Sequence, residues 1–239
     1  MLRFARVSES LPVVLIPGLL DSARLYAAQI PELWRRGPVM VADHTRDDSM
    51  SAIARRILAS APPRFALAGL SMGGYVCFEI LRQAPQRVAK LALLDTSARA
   101  DTPEATAARR AQMTQAANGR LREVVEMQFE RMVHPLHRED PQLREINRLM
   151  GEDVGPEAFI RQQTAIIARP DSRPSLAAIA CPTLVLVGEQ DEITPLDRAV
   201  EMAHGIRGAQ LVTVPECGHL SSLERPREVT HALLDWLGG

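Results

Sequence analysis

Six short apolar segments, each followed by residues with helical signals, constrain the fold of this chain more than any other feature. Segments that are apolar on both faces are typical of strands in a parallel sheet covered by helices on both sides. The segments are residues 11–16, 38–42, 64–68, 90–94, 183–187 and 209–214. Helix-start signals lie between strands at Ser22, Ser49 and Thr194-Pro195, and a last helix is expected over 226–237. The alternation predicts an α/β fold with a doubly wound, mostly parallel sheet of about six or seven strands flanked by helices.

The alternation of strands and helices stops between residues 97 and 176, where every signal is helical. Capping rules predict helix starts at Thr102-Pro103, Asp140-Pro141 and Gly155-Pro156. A further helix carries an apolar stripe made of Leu121, Val124, Val125, Phe129 and Met132. Because a sheet strand precedes and follows this block, we predict an α/β core from residues 1–96 and 177–239 with an all-helical insertion at 97–176. Residues 3–7 are expected to add a weak edge strand.

The charge balance argues against classes of protein that need a strongly basic surface. The 239 residues include 28 Lys and Arg against 29 Asp and Glu, for a formal net charge of −1. Phosphate binding needs a basic excess or stripe, so we predict a small-molecule substrate and no nucleic acid. No apolar stretch approaches the ~20 residues that a membrane span requires, so no membrane partner is expected.

The cysteines and the N-terminal residues bear on the cellular compartment. An odd count of cysteines without metal-ligand spacing indicates free thiols in a reducing environment; they are Cys77, Cys181 and Cys217. Arg3 and Arg6 before an apolar run resemble a signal peptide, but Glu9 and Pro12 interrupt the pattern. We therefore expect a cytoplasmic protein that is a monomer or a homodimer.

The segment Gly69-Leu70-Ser71-Met72-Gly73 carries the strongest chemical signal. It fits the pattern G-x-S-x-G at the end of a predicted strand and the start of a predicted helix, which is the context of a nucleophile elbow. A serine held in a strained turn at the edge of a sheet needs neighbours without a β-carbon, so Gly69 and Gly73 are the elbow glycines. A phosphate-binding loop would need a Lys-Ser/Thr pair after its glycines, and none follows. We predict that Ser71 is a nucleophile.

A serine needs a base to accept its proton and a carboxylate to orient that base. His219 lies between the last predicted strand and the last helix, at the same sheet edge as Ser71, and is the predicted base. The other histidines are less suitable as the base. His44 precedes the serine in the chain, and His204 and His231 lie within predicted helices. His134 and His137 lie in a charged loop, where a metal site is not favoured.

Two aspartates end strands where a loop can reach His219. Asp191 follows the next-to-last strand and agrees with the expected chain order of serine, acid and histidine, so it is the predicted acid. Asp95 ends the strand beside the elbow strand and is the alternative. The oxyanion that forms when Ser71 attacks a carbonyl needs two donors, and we predict the backbone N–H groups of Met72 and Leu19. Gly18 is expected to let the backbone curl before Leu19.

Taken together, these segments resemble the α/β-hydrolase superfamily, in its small, cap-bearing esterase and enol-lactonase branch. They occur in the order of the family and cover nearly the whole chain: PGLLDS, GLSMGG, RVAKLALLDTSAR, LVLVGEQDEITP and CGHLSSLERP. The resemblance implies a Ser71–His219–Asp191 triad, an oxyanion hole at Leu19 and Met72, and a helical cap over the pocket, with no cofactor and no metal. The chain departs from the family where Pro17, rather than the frequent histidine, precedes the glycine of the oxyanion loop, and where its N-terminus is too short for the usual leading hairpin.

Three functions are compatible with these residues. The first is a carboxylesterase-like serine hydrolase that cleaves a carboxylic ester, thioester or lactone through an acyl-enzyme on Ser71. The apolar cap residues Met113, Met127, Phe129, Met132 and Met150 either form an apolar acyl pocket or simply pack the cap helices against one another. The second is an enol-lactonase or C–C bond hydrolase for a small carboxylated ring-cleavage product. Such a substrate needs a cation, for which the candidates are Arg99, Arg109, Arg131 and Arg161. The third is a non-catalytic ligand-binding protein of the same fold.

Overall fold

The computed structural model of the protein describes residues 10–238. These residues include a parallel six-stranded sheet with the strand order β2-β1-β3-β4-β5-β6. The strands are β1 (Val13–Ile16), β2 (Val39–Val41), β3 (Phe65–Leu70), β4 (Val88–Leu94), β5 (Thr183–Gly188) and β6 (Gln210–Val214). Each predicted apolar segment contains or overlaps one of them, so the doubly wound parallel sheet is confirmed. The edge strand expected at 3–7 lies outside the described residues.

Helices pack on both faces of this sheet. They are α1 (Gln29–Trp34), α2 (Met50–Ser60), α3 (Met72–Gln83), α4 (Pro103–Ala117), α5 (Leu121–Met132), α6 (Pro141–Ile167), α7 (Leu196–Gly205), α8 (Ser221–Glu224) and α9 (Pro226–Gly238). Side chains of β1 alternate between two cores. Val14 and Ile16 join α2, α3 and α7 in one core, whereas Val13 and Leu15 join α1 and α9 in the other. Burial on both faces explains why β1 has no polar residue.

Helices α4, α5 and α6 follow β4 and precede β5, within the segment for which the sequence predicts an all-helical insertion. Thr102 and Asp140 cap α4 and α6 through their side chains, as their positions indicate. The helices predicted to start at Asp140 and Gly155 are joined in α6, which is kinked at Gly155, where φ is 74°. A small apolar core holds these helices to one another and includes Leu20 from the loop after β1.

Two helix starts differ from the sequence prediction. The residues after Ser22 form a short 3-10 turn, Ala23–Tyr26, before α1 begins. Helix α7 begins at Leu196 without a side-chain cap, because the Thr194 hydroxyl donates to Asp191 instead.

Because every strand runs in the same direction, the loops that follow the strands gather at one edge of the sheet. The strand order changes direction between β1 and β3, and such a switch point opens a crevice beyond the carboxyl ends of the strands. Loops carrying Leu19, Ser71, Asp95, Asp191 and His219 all leave the sheet at this edge. Among residues 10–238, no helix has the length and apolar character needed to cross a membrane.

Candidate active site

Ser71 stands in a strained turn between β3 and α3. Its φ and ψ are 54° and −115°, a conformation that L-residues other than glycine seldom adopt. The turn is held by the Ser71 N–H, which donates to Leu94 O at 3.0 Å, and by the Thr96 hydroxyl, which donates to Ser71 O at 2.7 Å. The surrounding structure therefore keeps this hydroxyl at the end of the strand.

The two elbow glycines are required by close backbone approach. A β-carbon on Gly69 would overlap the carbonyl group of Gly73 and come within 2.7 Å of Cys77 Sγ. A β-carbon on Gly73 would overlap the carbonyl oxygen of Ile16 in β1. Neither overlap involves only a flexible side chain, so the start of α3 can lie this close to the sheet only with glycine at both positions.

His219 connects Ser71 with Asp191. The Ser71 hydroxyl donates to His219 Nε2 at 2.9 Å, and His219 Nδ1 donates to Asp191 Oδ2 at 2.7 Å. All three groups come from loops at the same sheet edge, and His219 and Asp191 are buried. The hydrogen bond at Nδ1 places the imidazole proton there, so Nε2 is free to accept a proton from the serine.

The loop after β5 fixes the Asp191 carboxylate. Its Oδ1 accepts the backbone N–H groups of Ile193 at 2.8 Å and Thr194 at 2.9 Å. Its Oδ2 accepts the Thr194 hydroxyl at 2.7 Å in addition to the imidazole of His219. Thr194 therefore binds this carboxylate and does not cap a helix. Together the four donors fix the orientation of the Asp191 side chain.

The attraction between His219 and Asp191 shifts the pKa of each group in the direction that favours its charged form. Burial acts to lower the pKa of His219, but the charge and hydrogen bond of Asp191 outweigh it, and the imidazole pKa is raised. Burial acts to raise the pKa of Asp191, and the attraction of His219 overcomes it, so the carboxyl pKa is lowered. A more basic imidazole is a stronger acceptor for the Ser71 proton.

Asp95, the alternative acid, makes no hydrogen bond to His219, whose Nδ1 pairs with Asp191 instead. Its Oδ1 accepts the Gly188 N–H at 2.9 Å, and its Oδ2 accepts the hydroxyl of Ser221. Burial, together with the nearby charge of Asp191, raises the pKa of Asp95 well above its usual range. Through its two hydrogen bonds Asp95 connects β5 with α8, and it does not orient the imidazole.

Glu224 supports the loop that carries His219, a role that the sequence does not indicate. Its buried carboxylate accepts the N–H of Gly218 at 3.0 Å and that of Leu220 at 3.2 Å. It also accepts the N–H of His134 at 2.7 Å and lies 2.9 Å from His137 Nδ1. The two histidines in the charged loop therefore border this buried acid. Within residues 10–238 no group of side chains is arranged to hold a metal ion.

The two predicted oxyanion donors flank Ser71. Met72 follows it directly at the start of α3, and Leu19 lines the same cavity as Ser71 and His219. Within the described chain, neither backbone N–H donates to a protein acceptor. The loop turns at Leu20, where φ is 62°, and not at Gly18. Gly18 is needed for a different reason: a β-carbon there would overlap the Asp21 carboxylate and approach Ser71 Cβ to 3.3 Å.

A cavity of about 310 Å³ opens above Ser71 and His219. Helices α4, α5 and α6 form much of its wall, and several of their side chains there are polar: Arg109, Gln112, Gln128 and Arg131. Of the five residues that the sequence offers for an apolar acyl pocket, Met132 alone is among those that line the cavity. Phe129 and Met150 are buried in the core instead, and Met127 is half exposed. These residues therefore do not form an apolar acyl pocket together, because the apolar stripe of α5 packs partly in the core of the sheet, through Phe129, and partly against α4 and α6, through Val124 and Val125.

Asp21 is the one acidic residue among the described residues that line this cavity, and sequence analysis does not find it. It is only 4 % exposed, yet it lines the cavity together with Ser71 and His219. Burial raises the pKa of this carboxyl to about 7, against the attraction of His219 and a hydrogen bond from Gly18. In the sequence, Asp21 stands next to a serine in the loop PGLLDS, which is typical of a helix start. No local pattern distinguishes an aspartate that begins a helix from one that lines a cavity.

A larger cavity, of about 550 Å³, lies at the opposite edge of the sheet. It is lined by residues at the amino-terminal ends of strands, including Arg64, Val88 and Pro182, together with Cys181. Burial raises the pKa of the Cys181 thiol, which disfavours the reactive thiolate. Although this cavity is larger, the smaller cavity is the candidate active site, because Ser71 and His219 line it.

With this geometry in place, comparison with known proteins identifies the class. The family model for the alpha/beta hydrolase fold matches residues 35–226, and the chain belongs to this family. The sequence resemblance and the hydrolase class inferred from it are confirmed.

Individual relatives differ in the reactions that their names describe. The chain is 27 % identical to a pimeloyl-[acyl-carrier protein] methyl ester esterase of Nitrosomonas europaea, over 76 % of this chain and 74 % of the relative. A thermophilic esterase from Thermogutta terrifontis, solved with malate bound, is 33 % identical with a TM-score of 0.88, covering 95 % of this chain and 89 % of that one. An enol-lactonase from Burkholderia xenovorans has a TM-score of 0.87 at 22 % identity, covering 98 % and 94 %, which shows a shared fold.

Proposed function

We propose that the protein is a carboxylesterase-like serine hydrolase that cleaves an ester-like bond of a small substrate through an acyl-enzyme on Ser71. The observation that supports this most is the continuous chain of hydrogen bonds from Ser71 through His219 to Asp191, at 2.9 Å and 2.7 Å. Such a chain supplies the nucleophile, the base and the group that stabilises the imidazolium. The esterases among the relatives support the same type of reaction.

The reaction would proceed in two halves. His219 Nε2 takes the proton of Ser71 as its oxygen attacks the substrate carbonyl, and Asp191 stabilises the imidazolium. The developing oxyanion is bound by the N–H groups of Leu19 and Met72. His219 then gives the proton to the departing alcohol, and water, activated by the same imidazole, releases the acid from Ser71.

The helices between residues 97 and 176 would act as a cap over this reaction. In support, α4, α5 and α6 line the cavity opposite Ser71, and the Met132 carbonyl accepts the backbone N–H of His219 at 2.5 Å. A cap in this position excludes bulk water and selects the substrate by the side chains that it presents. The cytoplasmic location and the state as a monomer or homodimer remain predictions from the sequence.

Covalent labelling tests the proposal directly. We expect a fluorophosphonate to label the protein at one site per chain, with the adduct on Ser71, and p-nitrophenyl acetate and butyrate to be hydrolysed. Intact-mass and peptide mass spectrometry locate the adduct. Absence of both labelling and turnover would support the third function, a non-catalytic binding protein. A label on another serine would contradict the assignment of Ser71.

A second candidate function is an enol-lactonase or C–C bond hydrolase for a small carboxylated substrate. It is favoured by Arg131, which lines the cavity and has no ion-pair partner among the described residues. The other three candidate cations are engaged: Arg99 with Glu201, Arg109 with Asp101 and Arg161 with the Thr45 carbonyl. The malate in the Thermogutta terrifontis structure and the dioate hydrolases among the relatives agree with a carboxylate ligand.

Substitution of Arg131 separates the two candidates. If a substrate carboxylate binds this guanidinium, we expect Arg131→Gln to raise KM for a carboxylated enol-lactone about tenfold to a hundredfold and to leave KM for p-nitrophenyl acetate within about twofold. Steady-state kinetics with both substrates measure the difference. Arg122→Gln, on the same helix but outside the cavity wall, is the matched control. Equal effects on both substrates would exclude a carboxylate site at Arg131.

A further inference from the structure

The carbonyl of Gly18 is held by a buried histidine from another loop. His44, which follows β2 and is 2 % exposed, lies with Nε2 2.8 Å from Gly18 O. A carbonyl oxygen can only accept, so Nε2 carries the proton and donates. The Asp21 N–H donates to the same oxygen at 3.3 Å, which occupies both of its lone pairs. Burial lowers the pKa of His44, which favours the neutral form of the ring.

This bond determines the direction of the Leu19 N–H. Gly18 C=O and Leu19 N–H belong to one peptide unit, and in a planar trans peptide the two groups point in opposite directions. No cis peptide bond occurs among the described residues. By fixing the oxygen on the side of His44, the imidazole turns the N–H to the opposite side of the peptide unit. Leu19 borders the cavity that contains Ser71.

The other end of the same turn is held from the helical insertion. Leu20 has a φ of 62°, which is unfavourable for a branched side chain, and its N–H donates to Gln162 Oε1 at 3.2 Å. Gln162 belongs to α6 and is fully buried, and its Nε2 lies 3.1 Å from His44 Nε2. This contact is van der Waals packing and not a hydrogen bond, because both nitrogens carry protons when His44 donates to Gly18 O. The two side chains therefore touch each other and hold the peptide units on either side of Leu19.

We propose that His44 and Gln162 are positioning residues that hold the Leu19 N–H in the direction needed to bind the oxyanion, and that Gln162 makes this donor dependent on the placement of the cap. The inference rests on the proposed function of Ser71. Neither residue touches the reacting atoms; each acts through the backbone of the loop. Movement of α6 away from the core would remove the acceptor of Leu20 and free the strained turn. The oxyanion hole would then be complete only when the cap covers the cavity.

Shape-matched substitutions test the two bonds separately. Gln162→Met keeps the volume and loses the acceptor, whereas Gln162→Glu keeps an acceptor at the same place. His44→Leu loses the donor, whereas His44→Gln keeps a donor near the position of Nε2. Thr164→Val is the matched control, because its hydroxyl bonds only to Ile160 O within α6. Circular dichroism and thermal unfolding establish that each variant is folded.

The expected result is a specific loss of transition-state binding. A donor misplaced by about 1 Å costs up to about a hundredfold in rate, so Gln162→Met and His44→Leu should lower kcat for p-nitrophenyl butyrate about tenfold to a hundredfold, with KM changed less than about threefold. The inhibition constant of phenylboronic acid, whose tetrahedral adduct on the serine places an oxygen in the hole, should rise by a similar factor. Gln162→Glu and His44→Gln should recover much of the loss.

Three results would overturn the inference. One is a kcat of folded Gln162→Met and His44→Leu equal to that of Thr164→Val. Another is a loss confined to KM, which would indicate a role in substrate binding. The third is a fall in kcat without any change in boronate affinity. Failure of the proposed function itself would look different, because the wild-type protein would then neither hydrolyse esters nor carry a label on Ser71.

Discussion

Ser71→Ala is expected to lower kcat for p-nitrophenyl butyrate by about 10⁴-fold to 10⁶-fold, because the variant has no group that can form the acyl-enzyme. The residual rate would come from the oxyanion donors and from substrate binding alone. The substitution removes one oxygen from a half-buried side chain and leaves the backbone as it is, so the fold should be retained. Stopped-flow and steady-state kinetics, with active-site titration to exclude wild-type contamination, measure the effect.

Ser222→Ala is the matched control for this loss. Its side chain is fully buried, close in sequence to His219, and its hydroxyl has no hydrogen-bond partner among the described residues. Removal of that hydroxyl leaves the Ser71–His219 bond intact, so activity should stay within about twofold of the wild type. A Ser71→Ala protein that retained a tenth or more of the wild-type rate would require a different nucleophile.

The parts of this site that the sequence predicts are those with a local signature. The elbow at Ser71 needs two glycines within five residues of one another, and the steric reason for them follows from the geometry of a strand-to-helix turn alone. His219 and Asp191 follow from chain order and from the rule that parallel strands end at one edge. The predictions for these three residues depend only on short-range spacing and on the direction of the strands, and both can be read from the sequence.

The parts that the sequence does not predict depend on contacts between distant residues. Gln162 reaches Leu20 across 142 positions, and nothing around either residue indicates the partner. Glu224 is surrounded by the signals of a helix start, yet its carboxylate turns inward to the loop of His219. Likewise, an amphipathic stripe on α5 shows that one face is buried, but not whether it faces the core or a cavity. For this reason the sequence leaves open whether the apolar residues of the helical insertion line a pocket or pack between helices, and in the structure Phe129 and Met150 are buried in the core.

A histidine from another part of the chain contacts the loop of Gly18, where the family often has a histidine directly before this glycine. Pro17 has no polar side-chain group to offer the loop, so the sequence indicates that a side-chain contact is lost. In the structure an imidazole does reach this loop, from His44 after β2, at 2.8 Å from Gly18 O. Chain order excludes His44 as the base because it precedes the serine, but that criterion has no bearing on a residue that supports a backbone turn.

Asp191→Asn is expected to lower kcat by about 10³-fold to 10⁴-fold at pH 7.5, while Asp95→Asn stays within about tenfold of the wild type. The N–H groups of Ile193 and Thr194 require an acceptor at the position of Oδ1, so an asparagine would place its amide nitrogen beside His219 Nδ1. Two donors cannot share that contact, and the imidazole proton would move to Nε2. His219 would then have no lone pair for the proton of Ser71.

The pH dependence of the same variants provides an independent measurement. The charge of Asp191 raises the pKa of His219, and the base works only above that pKa, where the imidazole is neutral. Removing the charge should therefore shift the acidic limb of the kcat/KM profile to lower pH in Asp191→Asn. In Asp95→Asn the amide oxygen can still accept from the Gly188 N–H, and the Ser221 hydroxyl, which donates to Asp95 in the wild type, can rotate to accept from the amide N–H. A larger loss in Asp95→Asn than in Asp191→Asn would reverse the assignment of the acid.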